Sequence, residues 1–94
     1  MTPPAVDRAL VRRWATDPRL TDAALLLLTT VHLDAAANGQ DWAVFGDVTA
    51  AWPLSLGALR AAIRRAVWCG WLLRVGDDHR YAAARLVLVD DDAR

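Results

Sequence analysis

The stretch Asp47–Val89, DVTAAWPLSLGALRAAIRRAVWCGWLLRVGDDHRYAAARLVLV, decides the fold, and its punctuation divides it into four pieces. Asp47 can cap a short helix, Val48 to Trp52, that Pro53 stops because proline lacks the N–H a helix interior needs. Pro53-Leu54 leaves room only for a tight corner between helices. Ser55 can cap a second helix, which meets no breaker before Gly70, a residue suited to the left-handed position after a helix. Trp71 to Val75 then has strand composition, Gly76-Asp77-Asp78-His79 reads as a turn, and Arg80 to Val89 as a returning strand. The expected hairpin pairs Leu72–Val75 with Tyr81–Val89. Trp71, Leu73 and Val75 alternate with Leu72 and Arg74, so one strand face can be buried.

The second helix has two faces. Leu56, Leu59, Ile63 and Val67 recur at helical spacing and are expected to be buried. The opposite face carries Gly57, Ala61, Arg64 and Trp68, flanked by Arg60 and Arg65. No acidic residue occurs from Ser55 to Gly76. Small residues early on the exposed face let a helix approach a groove closely, and the arginines offer paired donors to phosphates or guanine edges.

The helix Asp47–Trp52, the helix Ser55–Gly70 with Arg60, Arg64 and Arg65, and the Gly70-Trp71-Leu72 exit into a hairpin together resemble the winged helix-turn-helix superfamily. The resemblance covers about the C-terminal two-thirds of the chain. It implies a mainly α fold with a small β-hairpin, and a second helix laid against double-stranded DNA. Ser55, Gly57, Arg60, Arg64 and Arg65 would contact DNA from that helix, and Arg80 and Arg85 from the wing strands. A single such domain reads little sequence, so a homodimer on two half-sites is expected.

Upstream, Thr21 caps a helix from Ala23 to Ala37, with Asp22 in its positive first turn, Leu20 placed to staple onto Leu25, and Asn38-Gly39 closing it. Trp42 to Phe45 can add a third strand to the hairpin. Thr2-Pro3-Pro4 reads as a cap with prolines in the first turn of one extra N-terminal helix, broken by Asp17-Pro18. Val6, Leu10 and Trp14 share one side of it. They are candidates for a dimer contact, or for a strap packed on the same chain. The chain thus divides into an N-terminal helix (1–18), the winged domain (19–89) and an acidic tail (90–94).

The 94 residues suffice for one domain with a modest core. All 11 Lys/Arg residues are arginine and all 11 acids are aspartate, a pattern of GC-rich coding of the kind expected in an actinobacterial genome, its phages or its plasmids. The apolar run Leu25 to Leu28 is too short to span a membrane and no signal peptide precedes Val6, so a cytoplasmic protein is expected. The single Cys69 forms no internal disulfide.

A formal net charge of zero argues against a simple DNA-binding protein, and Asp77-Asp78 at the wing tip would repel phosphate. A local basic patch still suffices for contact. A winged helix that docks a protein is therefore the alternative, with Trp68 as a candidate exposed anchor. His32 is expected to be packed, His79 solvated, Trp71 core under the hairpin, and Cys69 a small buried residue. No metal-ligand spacing, phosphate loop or nucleophile–base pair stands out, so neither cofactor nor catalytic residue is expected.

Overall fold

The computed structural model describes residues 7–76 and 83–89. Its elements run α1 (Arg8–Ala15), α2 (Asp22–Ala37), β1 (Trp42–Val44), α3 (Phe45–Ala51), α4 (Leu56–Trp68), β2 (Leu72–Val75) and β3 (Arg85–Leu88). The expectation of a mainly helical chain with a small antiparallel hairpin agrees with this, and β1 adds the third strand.

The middle of the fold is α2. Thr21 caps it by accepting from Ala24 N at 3.2 Å, and Gln40 N closes its far end on Ala35 O at 2.8 Å. Apolar residues surround this helix because it has neighbours on several sides: α1, α3, α4, β1 and β3 all pack on it. Ala24, Leu27, Leu28, Val31 and Ala35 are buried there.

The N-terminal helix departs from expectation. Its cap is Asp7, whose carboxylate accepts from Leu10 N at 3.0 Å, and it starts at Arg8 instead of at the proline pair. Thr2-Pro3-Pro4 and Val6 lie outside the described residues. Leu10 and Trp14 are 5% and 1% exposed and pack in the chain's own core, in the manner of a strap. His32 fixes this strap. Its Nε2 accepts from Asp7 N at 3.0 Å, and its ring meets Trp14 edge-on at 5.8 Å.

Asp17 does more than break a helix. Its carboxylate accepts from Arg19 N, Nε and Nη2 at 2.9, 3.0 and 2.8 Å, and from Trp71 Nε1 at 2.8 Å. Arg19 Nη2 also reaches Cys69 O at 3.3 Å, so the α1–α2 loop is fastened to the end of α4. The Arg19 side-chain hydrogen bonds first, then that from Trp71, hold the Asp17 carboxyl well below the usual carboxylate range. Folding favours the ionised form, so this stabilisation is complete above the unfolded value of about 3.9 and is lost as pH falls from there toward the folded value. The Asp17 side chain is only 7% exposed. Asp17→Asn should therefore cost about 1.5–3 kcal/mol at neutral pH. Urea denaturation at stepped pH should show its deficit against wild type narrowing steadily below about pH 4.

The sheet has the order β1-β3-β2, with both pairs antiparallel. Leu72 and Leu86 turn toward the helices, as does Ala43, the partner of Leu86. Leu73 and Val75 are exposed on the other face, so the buried strand face is the one led by Leu72. Trp71, just before β2, is buried as expected. Among the described residues the returning strand begins at Arg85. Asp77, Asp78 and His79, expected as a turn, and Arg80 and Tyr81, expected on the strand, lie outside them. At the base of that turn a Cβ on Gly76 would lie 2.6 Å from Ala84 Cα. Gly76→Ala must push β2 and β3 apart and should cost about 1–3 kcal/mol by thermal or urea denaturation. Gly57→Ala is the contrast. A Cβ there meets nothing closer than Ser55 Oγ at 3.9 Å, so stability should hold or rise.

The start of α3 also shifts. Phe45 is the first residue of α3 and not the last of a strand, and Asp47 sits in the first turn instead of at the cap. The chain passes directly from β1 into α3, and Phe45 N donates to Ala84 O at 2.7 Å. The sheet thus takes a helix-start donor that a capping side chain would otherwise satisfy. Pro53 ends α3 as expected, with Trp52 held extended before it and its Nε1 donating to Ser55 O at 3.1 Å.

Candidate nucleic-acid interface

Helix α4 is delimited by the signals its sequence carries. Ser55 Oγ accepts from Ala58 N at 3.1 Å. At the other end Gly70 has φ +84°, with Trp71 N returning to Ala66 O and Gly70 N to Val67 O, both at 3.0 Å. These are the two closing bonds of a left-handed helix end, which glycine adopts without a Cβ clash.

The buried stripe of α4 is Leu59, Ala62, Ile63 and Ala66; Leu56 and Val67 are exposed, contrary to the expected stripe. At about 100° per residue, Leu56 and Val67 fall at one edge of the observed stripe. Leu59 and Ala66 lie at its centre and Ala62 at the opposite edge, and the two alanines let α4 pack against the leucine-rich α2. The rotation is small, and the opposite side is as expected: Gly57, Arg60, Ala61, Arg64, Arg65 and Trp68 are all exposed.

Arg64, Arg65, Ala61 and Trp68 line an open groove of about 430 Å³. The Arg65 guanidinium stands 5.3 Å from the centre of the Trp68 ring, and the indole is 67% exposed. Nothing inside the fold requires glycine at position 57, where a Cβ would meet only the Ser55 hydroxyl. Ser55 is exposed at the head of the same helix, its hydroxyl engaged in the cap.

Arg85 is not part of this face. It is exposed on β3, with its guanidinium 4.3 Å from the Trp42 ring, on the outer side of the sheet. Arg80 lies outside the described residues. The structure therefore gathers Gly57, Arg60, Arg64 and Arg65 on one surface and puts Arg85 on another element. Among the described residues, none of the acidic side chains lines the α4 groove. Asp34 and Asp47 border a groove of about 400 Å³ between α2 and α3, together with Leu33 and Val48. Among the described residues α4 therefore carries arginines and no acid, while α2 and α3 carry aspartates.

Compared with known families, curated proteins and solved structures, the chain matches none.

Two side chains outside the face have structural tasks. Cys69 is buried, and burial raises its thiol above the ordinary value, which disfavours the thiolate that reactive chemistry needs. His32 is committed to Asp7 and Trp14. Among the described residues no three His, Cys, Asp or Glu side chains gather as a metal site, and no helix is long and apolar enough to cross a membrane. The Arg65–Trp68 contact was not read from the sequence, although the three-residue spacing on one helix carries the signal for it. The Asp17–Trp71 bond, across 54 residues, carried no such signal.

Proposed function

We propose that this protein is a winged helix-turn-helix that binds double-stranded DNA through α4. The observation that carries the reading is the exposed side of α4, where Gly57 and Ala61 leave a low surface and Arg60, Arg64 and Arg65 surround it. A helix so built can lie in a major groove, its small residues near the base edges and its guanidinium groups at phosphates. The element order supports the winged assignment: α3, a short corner at Pro53-Leu54, α4, then β2 and β3 with β1 beside β3. Ser55 stands where the chain enters α4 and would lie near the backbone. Arg80 and Arg85 would add phosphate contacts from the wing.

A small transcriptional regulator or a phage or plasmid accessory factor is the class of protein this describes. A homodimer on two half-sites remains part of the proposal. Since Leu10 and Trp14 are in the core, the dimer would use another surface. The second reading, a protein-docking module, is favoured by the exposed Trp68 beside arginines, the residue types that dominate protein interfaces. Titration of a labelled duplex at several salt concentrations separates the two. Arginine–phosphate contact releases counterions, so DNA affinity must fall as salt rises. Absence of such binding leaves the docking reading.

A further inference from the structure

The C-terminal end of α4 does not suit an intact duplex. From Leu56 to Trp68 the helix runs about 18 Å at 1.5 Å per residue. Its slim end, with Gly57 and Ala61, is the end able to enter a groove. Trp68 then stands at the far end, near the sugar–phosphate rim. There a duplex offers no base face, because each base is covered by its stacked neighbours and only edges reach the grooves. An indole 67% exposed at that point would gain little from its ring surface.

An unpaired base would use it. Arg65 stands at 5.3 Å from the ring centre, and the groove lined by Ala61, Arg64, Arg65 and Trp68 is open to solvent. We propose that Trp68 stacks on an unpaired base, with Arg64 and Arg65 on the adjoining phosphates, so that α4 recognises a duplex ending in single strand. Aromatic stacking tolerates any base, and arginine beside the ring reinforces it. Among the described residues Arg85 likewise stands over Trp42, at 4.3 Å, but that ring is half-buried and lacks this opening. The inference rests on the reading of α4 as a DNA-binding helix.

The test uses the full chain and three labelled DNAs of one sequence: a blunt duplex, the duplex with a short single-stranded extension at either end, and the single strand. Fluorescence anisotropy should show the extension tightening wild-type binding roughly tenfold, as one stacked base predicts. Trp68→Ala should lose that gain while binding the blunt duplex within about twofold of wild type, and Trp68→Phe should keep most of it. The exposed position makes a folding defect in either variant easy to exclude by circular dichroism. An extension that adds nothing, or a Trp68→Ala loss equal on blunt and extended DNA, overturns the stacking role and leaves duplex binding by α4 standing. Binding to none of the three overturns both.

Discussion

Trp14→Ala should cost about 3–5 kcal/mol, the largest loss of stability expected from any single change considered. The side chain is 1% exposed, packs edge-on against His32 and belongs to the one core cluster. Its Nε1 has no hydrogen-bond partner among the described residues, so the loss comes from packing and not from a broken polar contact. Small domains hold about 5–15 kcal/mol in all, so the variant should be marginal at room temperature. Urea denaturation should show a lower midpoint with a similar slope. A folded variant of unchanged stability and smaller solution mass would instead restore Trp14 as a subunit contact. Asp7 gives an independent check on the strap. Its carboxylate caps α1 and its N–H bonds His32, so Asp7→Ala should weaken the attachment by about 1 kcal/mol through the cap alone.

The parts legible in the sequence are those whose signals act over one helical turn. Thr21 and Ser55 cap where expected, Asn38-Gly39 and Gly70 close the helices, and Pro53 stops α3. Each depends on a backbone group within five residues, so tertiary context hardly enters. The exposed face of α4 was legible for the related reason that arginines rarely occupy the inside of a helix. The buried stripe was misplaced because Leu56 and Val67 look more hydrophobic than Ala62 and Ala66. What decides burial there is close packing against α2, to which small residues contribute by their lack of bulk. At the N-terminus, Thr2 and Asp7 are both good caps, and the partner that distinguishes them, His32, is 25 residues away. The start of α3 was missed because its first N–H bonds Ala84, across the sheet. Arg85 was placed on a wing strand, where it lies, but the face it presents follows only from the pairing of β3 with its neighbours.

Replacing Arg60, Arg64 and Arg65 together with alanine should abolish duplex binding while leaving the fold in place. All three are exposed, outside the Leu59–Ala62–Ile63–Ala66 stripe, and alanine is the best helix former. Each phosphate contact contributes about 0.9 to the slope of log affinity against log salt, so any residual binding should show a slope shallower by up to roughly 3. Loss of a uniform electrostatic grip would weaken all duplexes alike. Loss of a bidentate guanine contact would relax preference at one base position, at about 1–3 kcal/mol, and single substitutions assign each arginine to one role or the other. Arg85→Ala provides the internal contrast. That guanidinium sits over Trp42 on the sheet, so a loss comparable to that of an α4 arginine would mean that the wing reaches the backbone. No loss would confine the contact to the helix. The decisive negative is a folded wild type that binds no duplex in a salt-sensitive way at roughly tens of micromolar, where nonspecific association is ordinarily visible. The same arginines would then flank Trp68 as an anchor for a protein. The triple variant would be the reagent to show it, because it removes the charge and keeps the indole.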